Sequence, residues 1–267
     1  MEPIPVIGVP IVNGVHWLER LIESIDYPVD NLFIVNNSAD EEVTQELERL
    51  VKVKKENINK IYLTNFPGNI GCASAWNLII KCYLMSPYWI ISNHDIGFTP
   101  GFLETMVARA QDPETGIVFG KAENYISAEN KGIITLGSWD IFLIKDWAVH
   151  KFGLFDENLY PAYSEDIDYL LRTLVHPIKK TSVELPYYHG ESTDYHQSGG
   201  QTARVNPELK NKIDIARYLN EHAYMNKKWG PGWHWLDIYK HPFNKPDIDI
   251  KMTFFDIYFA RSKYLGF

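Results

Sequence analysis

The sequence predicts an α/β fold with a mostly parallel central sheet, helices on both faces, and a helical, aromatic C-terminal extension. Three observations carry this reading. Short apolar runs alternate with helical periodicity four times within the first 110 residues, the pattern of parallel strands joined by crossover helices. Each run closes on small polar residues, as buried strands do when they reach the surface of a sheet. The chain has 267 residues, 45% hydrophobic and 22% charged, which is enough for one large domain and too apolar for disorder.

The elements follow in order. Residues 4–12 are apolar almost throughout and read as a buried strand closed by Asn13-Gly14. Trp17, Leu18, Leu21, Ile22 and Ile25 then fall on one helical face, and Tyr27-Pro28 stops that helix because the residue before proline disfavours α geometry. Residues 31–35 are a second strand, 41–54 a charged amphipathic helix, and 60–64 a third strand. A third helix spans 71–85 with Cys72, Trp76, Ile79, Ile80 and Tyr83 inward; 88–92 is a fourth strand, and Pro100 precedes a fourth helix reaching about Ala110. The pattern then changes. Strands are expected at 116–120 and 140–144 with an irregular stretch between them. A helix follows at 164–175, an extended run at 181–188, and a Gly-, Ser-, His- and Thr-rich loop at 188–202. Asn206-Pro207 pairs an N-cap with a first-turn proline and starts a helix running to about Trp229. Residues 230–267 hold Trp233, Trp235, Phe243, Phe254, Phe255 and Tyr258 without a clear period, and are expected to pack on the core, with a homodimer contact or contact with a membrane surface as the other uses of the same residues.

Charge and cysteine content narrow the function classes. A net charge of -8 disfavours nucleic acid as a partner, since backbone binding needs a basic surface. A small phosphorylated ligand is compatible, because a metal ion supplies positive charge locally. Cys72 and Cys82 lie ten residues apart on one helix, about 15 Å at the helical rise, too far for a disulfide. Unpaired cysteines suit a reducing, cytoplasmic setting. The start of the chain has no basic patch followed by an apolar core, and no run of about 18 apolar residues occurs, so neither a signal peptide nor a spanning helix is expected.

In parallel α/β sheets ligands bind outside the carboxyl ends of the strands, so candidate residues are those that follow each strand. Pro10-Ile11-Val12-Asn13 and Asn36-Asn37-Ser38 suit either hydrogen bonds to a base and ribose or plain turn formation. In Asn65-Phe66-Pro67-Gly68-Asn69-Ile70-Gly71 glycine lets backbone approach a ligand and the helix start offers N–H groups to phosphate; no Gly-Lys-Ser/Thr follows, so this is not a Walker loop. The fourth strand delivers Asn93-His94-Asp95, and a carboxylate there either holds Mg²⁺ or Mn²⁺ or simply caps the chain. Glu165, Asp166 and Asp168 crowd three acids into four positions. They favour a helix N-terminus in any case, or one serves as a general base. Glu165 and Asp166 point about 100° apart on a helix and so do not form a facing glycosidase pair. His189 ends the extended run and is either a metal ligand or a structural histidine.

Taken in order, these pieces resemble the GT-A glycosyltransferases, specifically the large inverting group called family two. The resemblance runs from Pro10-Ile11-Val12-Asn13 through Val35-Asn36-Asn37-Ser38, Asn69-Ile70-Gly71 with Trp76-Asn77, Asn93-His94-Asp95 and Gly97-Phe98-Thr99-Pro100-Gly101-Phe102-Leu103. It continues through Phe142-Leu143-Ile144, Gly153-Leu154-Phe155-Asp156-Glu157, Tyr163-Ser164-Glu165-Asp166-Ile167-Asp168 and His189-Gly190-Glu191-Ser192, covering roughly residues 5–229. The Asn-His-Asp region and small size also resemble glycosyltransferases of large algal viruses, which would place the chain in host cytoplasm.

The resemblance implies a GT-A domain at 1–229, with a nucleotide-sugar-binding half to about 110, an acceptor-binding half to about 205 and a closing helix. It implies that a UDP-sugar or similar donor is bound by Pro10, Val12, Asn13, Asn36, Ser38, Asn69, Gly71, Asn77, Asn93 and His94. Asp95 and His189 would hold Mn²⁺ or Mg²⁺, Trp139, Tyr163 and Glu165 would meet a glycan acceptor, and Asp166 would be the base of a single inverting displacement. Two positions depart from the family pattern. Asn93 replaces the first acid of Asp-X-Asp, and Asn36-Asn37 replaces the aspartate beside the base. The competing readings are a non-catalytic nucleotide- or glycan-binding module, and a nucleotidyltransferase. The latter needs a basic, glycine-rich loop after the first strand, where this chain has Asn13-Gly14-Val15-His16-Trp17.

Overall fold

The computed structural model describes residues 2–126, 133–190 and 201–233. The first half runs β1 (Ile7–Ile11), α1 (Val15–Glu23), β2 (Val29–Asn36), α2 (Glu41–Leu50), β3 (Ile58–Asn65), α3 (Cys72–Cys82), β4 (Tyr88–Ser92), β5 (Ile96–Phe98) and α4 (Phe102–Ala110). The second runs β6 (Thr115–Phe119), β7 (Ala122–Ile126), β8 (Ile133–Gly137), β9 (Ile141–Lys145), α5 (Asp146–Phe152) and α6 (Glu165–Val175). It continues with β10 (Lys179–Ser182), β11 (Tyr187–His189), α7 (Gln201–Arg204), α8 (Pro207–Leu219), a π-helical turn (Asn220–Met225) and α9 (Asn226–Trp229).

Seven strands form the central sheet in the order β10-β6-β9-β4-β1-β2-β3. β1 pairs in parallel with β2 and β4, setting Ile7 beside both Leu32 and Ile90. β9 runs antiparallel to β4 and β6. The remaining pairs, β2 with β3 and β6 with β10, are parallel. The mostly parallel sheet expected from the alternation is therefore present.

Both faces are covered, which explains why the strands read as continuous apolar runs. On one face Ile7, Val9 and Ile90 pack under Leu18 and Leu21 of α1, Leu47 of α2 and Met106 of α4. On the other, Val6, Ile91 and Phe142 pack under Trp76 and Ile79 of α3, Ala148 of α5 and Tyr169 of α6. Each such side chain contributes about 1.5–3 kcal/mol by leaving water. A Cβ at Gly8 would lie 2.3 Å from Ile79 Cγ2, so glycine is what lets α3 sit directly on β1. Local signals set the helix starts. Asp40 Oδ1 accepts from Glu42 N at 2.8 Å, and Asn206 Oδ1 accepts from Leu209 N at 2.9 Å with Pro207 in the first turn.

Four expectations change. The extended run at 181–188 divides into β10, which joins the central sheet, and β11, which pairs antiparallel with β5. Pro186 lies between them and has no N–H for a ladder. The stretch expected to be irregular contains the β7–β8 hairpin, paired from Ala122–Gly137 to Ile126–Ile133. Residues Asp146–Phe152 form α5, where no helix was expected. The helix from Asn206 to Trp229 is realised with a π turn inside it. Trp233 docks against Leu159, Leu171, Tyr224, Met225 and Trp229. The rest of the expected extension, 234–267, with its dimer surface, lies outside the described residues, as do 191–200. Among the described residues no helix is long and apolar enough to cross a membrane.

Candidate active site

The carboxyl ends of β1, β2 and β4 open on a cavity of about 410 Å³. It sits at the switch point where β1 has β2 on one side and β4 on the other. Pro10, Ile11 and Val12 line it from β1, Asn37 from β2, Asn69 and Cys72 from the start of α3, and Asn93, His94 and Asp95 from β4. Ser138, Trp139 and Asp140 enter from the start of β9, Tyr163, Glu165 and Asp166 from the start of α6, and His189 from β11. Thr202, Ala203, Leu209 and Ile213 close the remaining side.

Several lining atoms are buried and have no hydrogen-bond partner among the described residues: Asn37 Oδ1, Trp76 Nε1, His94 Nε2, Trp139 Nε1 and Glu165 Oε2. Orphaned buried polar groups cost about 1–3 kcal/mol each. Their convergence on one cavity marks a place built to be completed by a polar ligand.

The sequence-predicted residues divide. Pro10, Val12, Asn69, Asn93, His94, Asp95, Trp139, Tyr163, Glu165, Asp166 and His189 line the cavity. Asn36 does not; its amide donates to Thr44 Oγ1 at 2.9 Å and Asn65 Oδ1 at 3.0 Å and accepts from Ser38 N at 3.0 Å. Its neighbour Asn37 lines the cavity instead, because successive strand side chains point to opposite faces. Ser38 accepts from Asp40 N at 3.1 Å and helps turn the chain into α2. Asn13 sends Nδ2 to Thr202 O at 3.0 Å, tying the end of β1 to α7. Asn77 is buried and exchanges hydrogen bonds of 2.9 Å with the backbone of Phe155 while donating to Glu157 Oε1 at 2.8 Å, so it clamps the 153–157 loop. Gly71, at φ +90, is structural as well. A Cβ there would lie 2.9 Å from the Tyr160 ring, and Asn69 Oδ1 accepts its N–H at 2.8 Å.

The chemistry concentrates in two groups. In the first, His189 lies between two carboxylates, Nε2 3.4 Å from Asp95 Oδ1 and Nδ1 3.2 Å from Asp140 Oδ2. Burial pushes the imidazole down, but Asp140 and Asp95 outweigh it and lift it to about 9. Burial likewise pulls Asp95 up, and the hydrogen bond and charge of His189 hold it below its ordinary value. Asp140 also receives Tyr187 OH at 2.8 Å, and burial is again outweighed by these partners, so its carboxyl stays well below the usual range. Burial drives His94 down to about 4, leaving it neutral. Among the described residues no three His, Cys, Asp or Glu side chains group so as to hold a metal ion unaided. Asp95 offers an oxygen donor at the cavity wall, and His189 a nitrogen donor once its imidazole gives up its proton, a partial set that suits a cation whose other ligands come from phosphate. Asp140 stands at the far nitrogen of His189, where a carboxylate orients a ligating imidazole.

In the second group, α6 begins with Tyr163 and Ser164 at φ 73 and 77, an uncommon conformation for non-glycine residues that presents Glu165 and Asp166 to the cavity. Burial, with the charge of Asp166 added, pushes the Glu165 carboxyl up to about 8. The Cys72 thiol, held well above its ordinary value by burial and by Glu165, is its hydrogen-bond partner. Asp166 is half-buried, and its Oδ1 accepts its own helix's Ile167 N–H at 2.7 Å. A largely neutral Glu165 thus stands next to the half-buried Asp166 at the start of α6.

A family model, Glycosyl transferase family 2, matches residues 6–154, more than half of the chain. The chain belongs to glycosyl transferase family 2. A curated relative, the galactofuranosyl glycosyltransferase of Leishmania donovani, is 23% identical over 225 residues, which cover 63% of this chain and 52% of the relative. The chain therefore spans about half the length of that protein. Among solved structures, the mannosyltransferase PcManGT of Pyrobaculum calidifontis in complex with GDP-Man and Mn²⁺ superposes with a TM-score of 0.56 at 12% identity, covering 100% of this chain and 75% of that one. GalNAc-T7 with UDP, GalNAc and Mn²⁺ superposes at 0.55 and 11% identity, covering 81% and 50%. These likenesses establish the GT-A fold for this family 2 chain. The matched segment ends at residue 154, ahead of Glu165, Asp166 and His189.

Among the polar lining residues, Cys72, Ser138, Asp140 and Thr202 were not singled out by the sequence, which offered Asn37 only together with Asn36 and Ser38. Asn37 needed the strand register, and Cys72 was expected inward among apolar residues but lines the cavity. Asp140 was read only as the start of a strand. Thr202 fell in a stretch read as loop. The acid directly after Trp139 was the one available signal for Asp140.

Proposed function

We propose that this family 2 chain transfers a hexose from a nucleotide diphosphate sugar, UDP-linked in the first instance, to a hydroxyl of a glycan with inversion at the anomeric carbon. The observation that carries the reading is the cavity at the carboxyl ends of β1, β2 and β4, which gathers orphaned polar atoms, an Asp–His pair and a half-buried Asp166 on one wall. The sugar nucleotides and Mn²⁺ named for PcManGT and GalNAc-T7, and the glycosyl transfer named for the Leishmania relative, support it.

In this reading Pro10, Val12 and Asn37 receive the nucleoside, and Asn69, Asn93 and His94 lie along the diphosphate and sugar. Asp95 and His189 would hold Mn²⁺ or Mg²⁺, which offsets charge on the departing nucleoside diphosphate. Asp140 orients His189 through Nδ1. Asp166 accepts the proton of the attacking hydroxyl, and Glu165, neutral below about 8, donates a hydrogen bond to a sugar oxygen. Trp139 offers its indole N–H to the same ligand, and Tyr163 forms part of the acceptor wall. The free thiols Cys72 and Cys82 support a cytoplasmic setting.

Calorimetric binding of UDP, GDP and dTDP with and without Mn²⁺ tests the donor half. Tight binding of one nucleotide that weakens on chelation is expected, and no binding of any of them sinks the reading. Asp166→Asn should lower transfer by about 10²–10⁴-fold with nucleotide affinity retained; transfer at the wild-type rate removes Asp166 as the base.

A further inference from the structure

Behind Asp166 lies a second cavity of about 490 Å³. Its lining combines Tyr163, Ser164, Asp166, Ile167 and Leu170 from α6 and its approach with Arg217, Glu221, His222 and Asn226 from the C-terminal helix, and with Trp233. Tyr163 and Asp166 belong to both cavities, so they form the partition between them. A group on that partition reaches a donor on one side and an acceptor on the other.

We propose that this second cavity is the acceptor subsite, and that it takes the terminal residue of an uncharged glycan; the proposal rests on the transferase reading above. The lining suits a neutral sugar. Trp233 and Tyr163, with Ile167 and Leu170, supply the apolar and aromatic surface that a pyranose C–H face covers. His222 and Glu221 supply planar hydrogen-bonding groups for hydroxyls, and Asn226, which donates to His222 O at 3.0 Å and accepts from Trp233 Nε1 at 3.0 Å, keeps one further donor and one lone pair. The one guanidinium in the lining is already neutralised, with Arg217 Nε 2.6 Å from Glu221 Oε1, and its plane covers the Tyr163 ring at 5.1 Å. Among the described lining residues an anionic acceptor would find no uncompensated lysine or arginine, and it would meet the Asp166 carboxyl group.

The π turn explains why the helix presents these residues together. Arg217 and Asn226 are nine residues apart, roughly two and a half turns of regular α-helix, which would put them on opposite sides. The i→i+5 bonding of Asn220–Met225 absorbs about one extra residue and brings Asn226 back to within roughly a quarter turn of Arg217. It also admits both Glu221 and His222 to the cavity wall.

The test uses the full chain with whichever nucleotide sugar it hydrolyses. The probes are p-nitrophenyl hexosides and the matching p-nitrophenyl hexuronides. Transfer to neutral hexosides is expected in preference to the uronides. Arg217→Gln, at a side chain 53% exposed and so safe for folding, and Trp233→Phe should each raise the acceptor KM by about tenfold while the donor KM moves less than about twofold. An acceptor KM unmoved in both variants overturns the subsite. Preference for the uronides, or donor hydrolysis with no hexoside glycosylated, overturns the neutral-sugar class. Failure of the wild type to hydrolyse any nucleotide sugar strikes the transferase reading itself, a different result from any of these.

Discussion

Around β1 and β4 the chain is held by apolar contact. Ile7, Val9, Ile90 and Ile91 are fully buried and covered on both faces by aliphatic and aromatic side chains. Behind α6 the arrangement is different. Lys228, 1% exposed, places Nζ 2.5 Å from both Asp156 Oδ2 and Asp168 Oδ1. Trp229 Nε1 donates to Asp168 at 2.7 Å, Tyr224 OH to Asp156 at 2.5 Å, and Arg172 closes on Asp168. The apolar cluster of this region contains six buried residues, against nineteen in the smaller of the two clusters that flank the sheet. The β1–β4 side is thus held by packing, whereas the helix that walls the second cavity is fastened by an ionic network. Nonpolar packing tolerates conservative exchange, but a buried network depends on every member being present.

The largest expected consequence is at Lys228. Lys228→Met should cost about 3–5 kcal/mol, because it removes the cation shared by two buried carboxylates and leaves Asp168 only Arg172. Hydrogen exchange should show the 207–229 helix opening while β1 and β4 stay protected. Ile90→Ala, expected to cost about 2–5 kcal/mol, should instead destabilise the sheet. If both variants lose protection everywhere together, the two regions are one cooperative unit and the contrast fails.

A smaller effect separates the regions by pH. The Glu165 carboxyl titrates at about 8 in the fold against an ordinary 4.5, so the native state binds the extra proton. That stability is present below pH 4.5 and is lost as pH rises through about 8. Thermal unfolding followed from pH 5 to 9 should therefore show a decline that Glu165→Gln flattens. An unchanged slope in that variant would place the titration elsewhere.

The smallest effect sharpens the ionic half of the comparison. Lys210 and Asp214 approach to 2.5 Å on the same C-terminal helix, but both are more than half exposed. Lys210→Ala should cost about 0.3–0.5 kcal/mol, near the limit of a denaturant titration. A loss approaching that of Lys228 would mean that burial is not what gives the network its strength.

The same contrast governs what was legible in the sequence. The strands at the centre of the sheet were readable because burial on both faces leaves runs such as Ile90 and Ile91 almost wholly apolar. β5 has three residues and exists through its pairing with β11, ninety residues away, so nothing local announces it. For the site, Asp95, Asp166 and His189 were visible from residue type at strand and helix ends. Choosing Asn37 over Asn36 required knowing which face of β2 opens on the cavity. Asn77 carries the right chemistry for a ligand contact, yet Phe155 claims both ends of its amide, a pairing across 78 residues. The second cavity was unreadable for a like reason, since its face of the C-terminal helix follows the π register and not the 3.6-residue period.

Because β9 runs against its neighbours, Ser138, Trp139 and Asp140 reach the cavity from the beginning of a strand, where β1, β2 and β4 contribute from their ends. The β7–β8 hairpin feeds directly into that beginning. This arrangement works as a cassette. Exchanging 121–140 among family members would replace one wall of the pocket while leaving the crossovers from β1 to β4, and the helices that follow them, untouched.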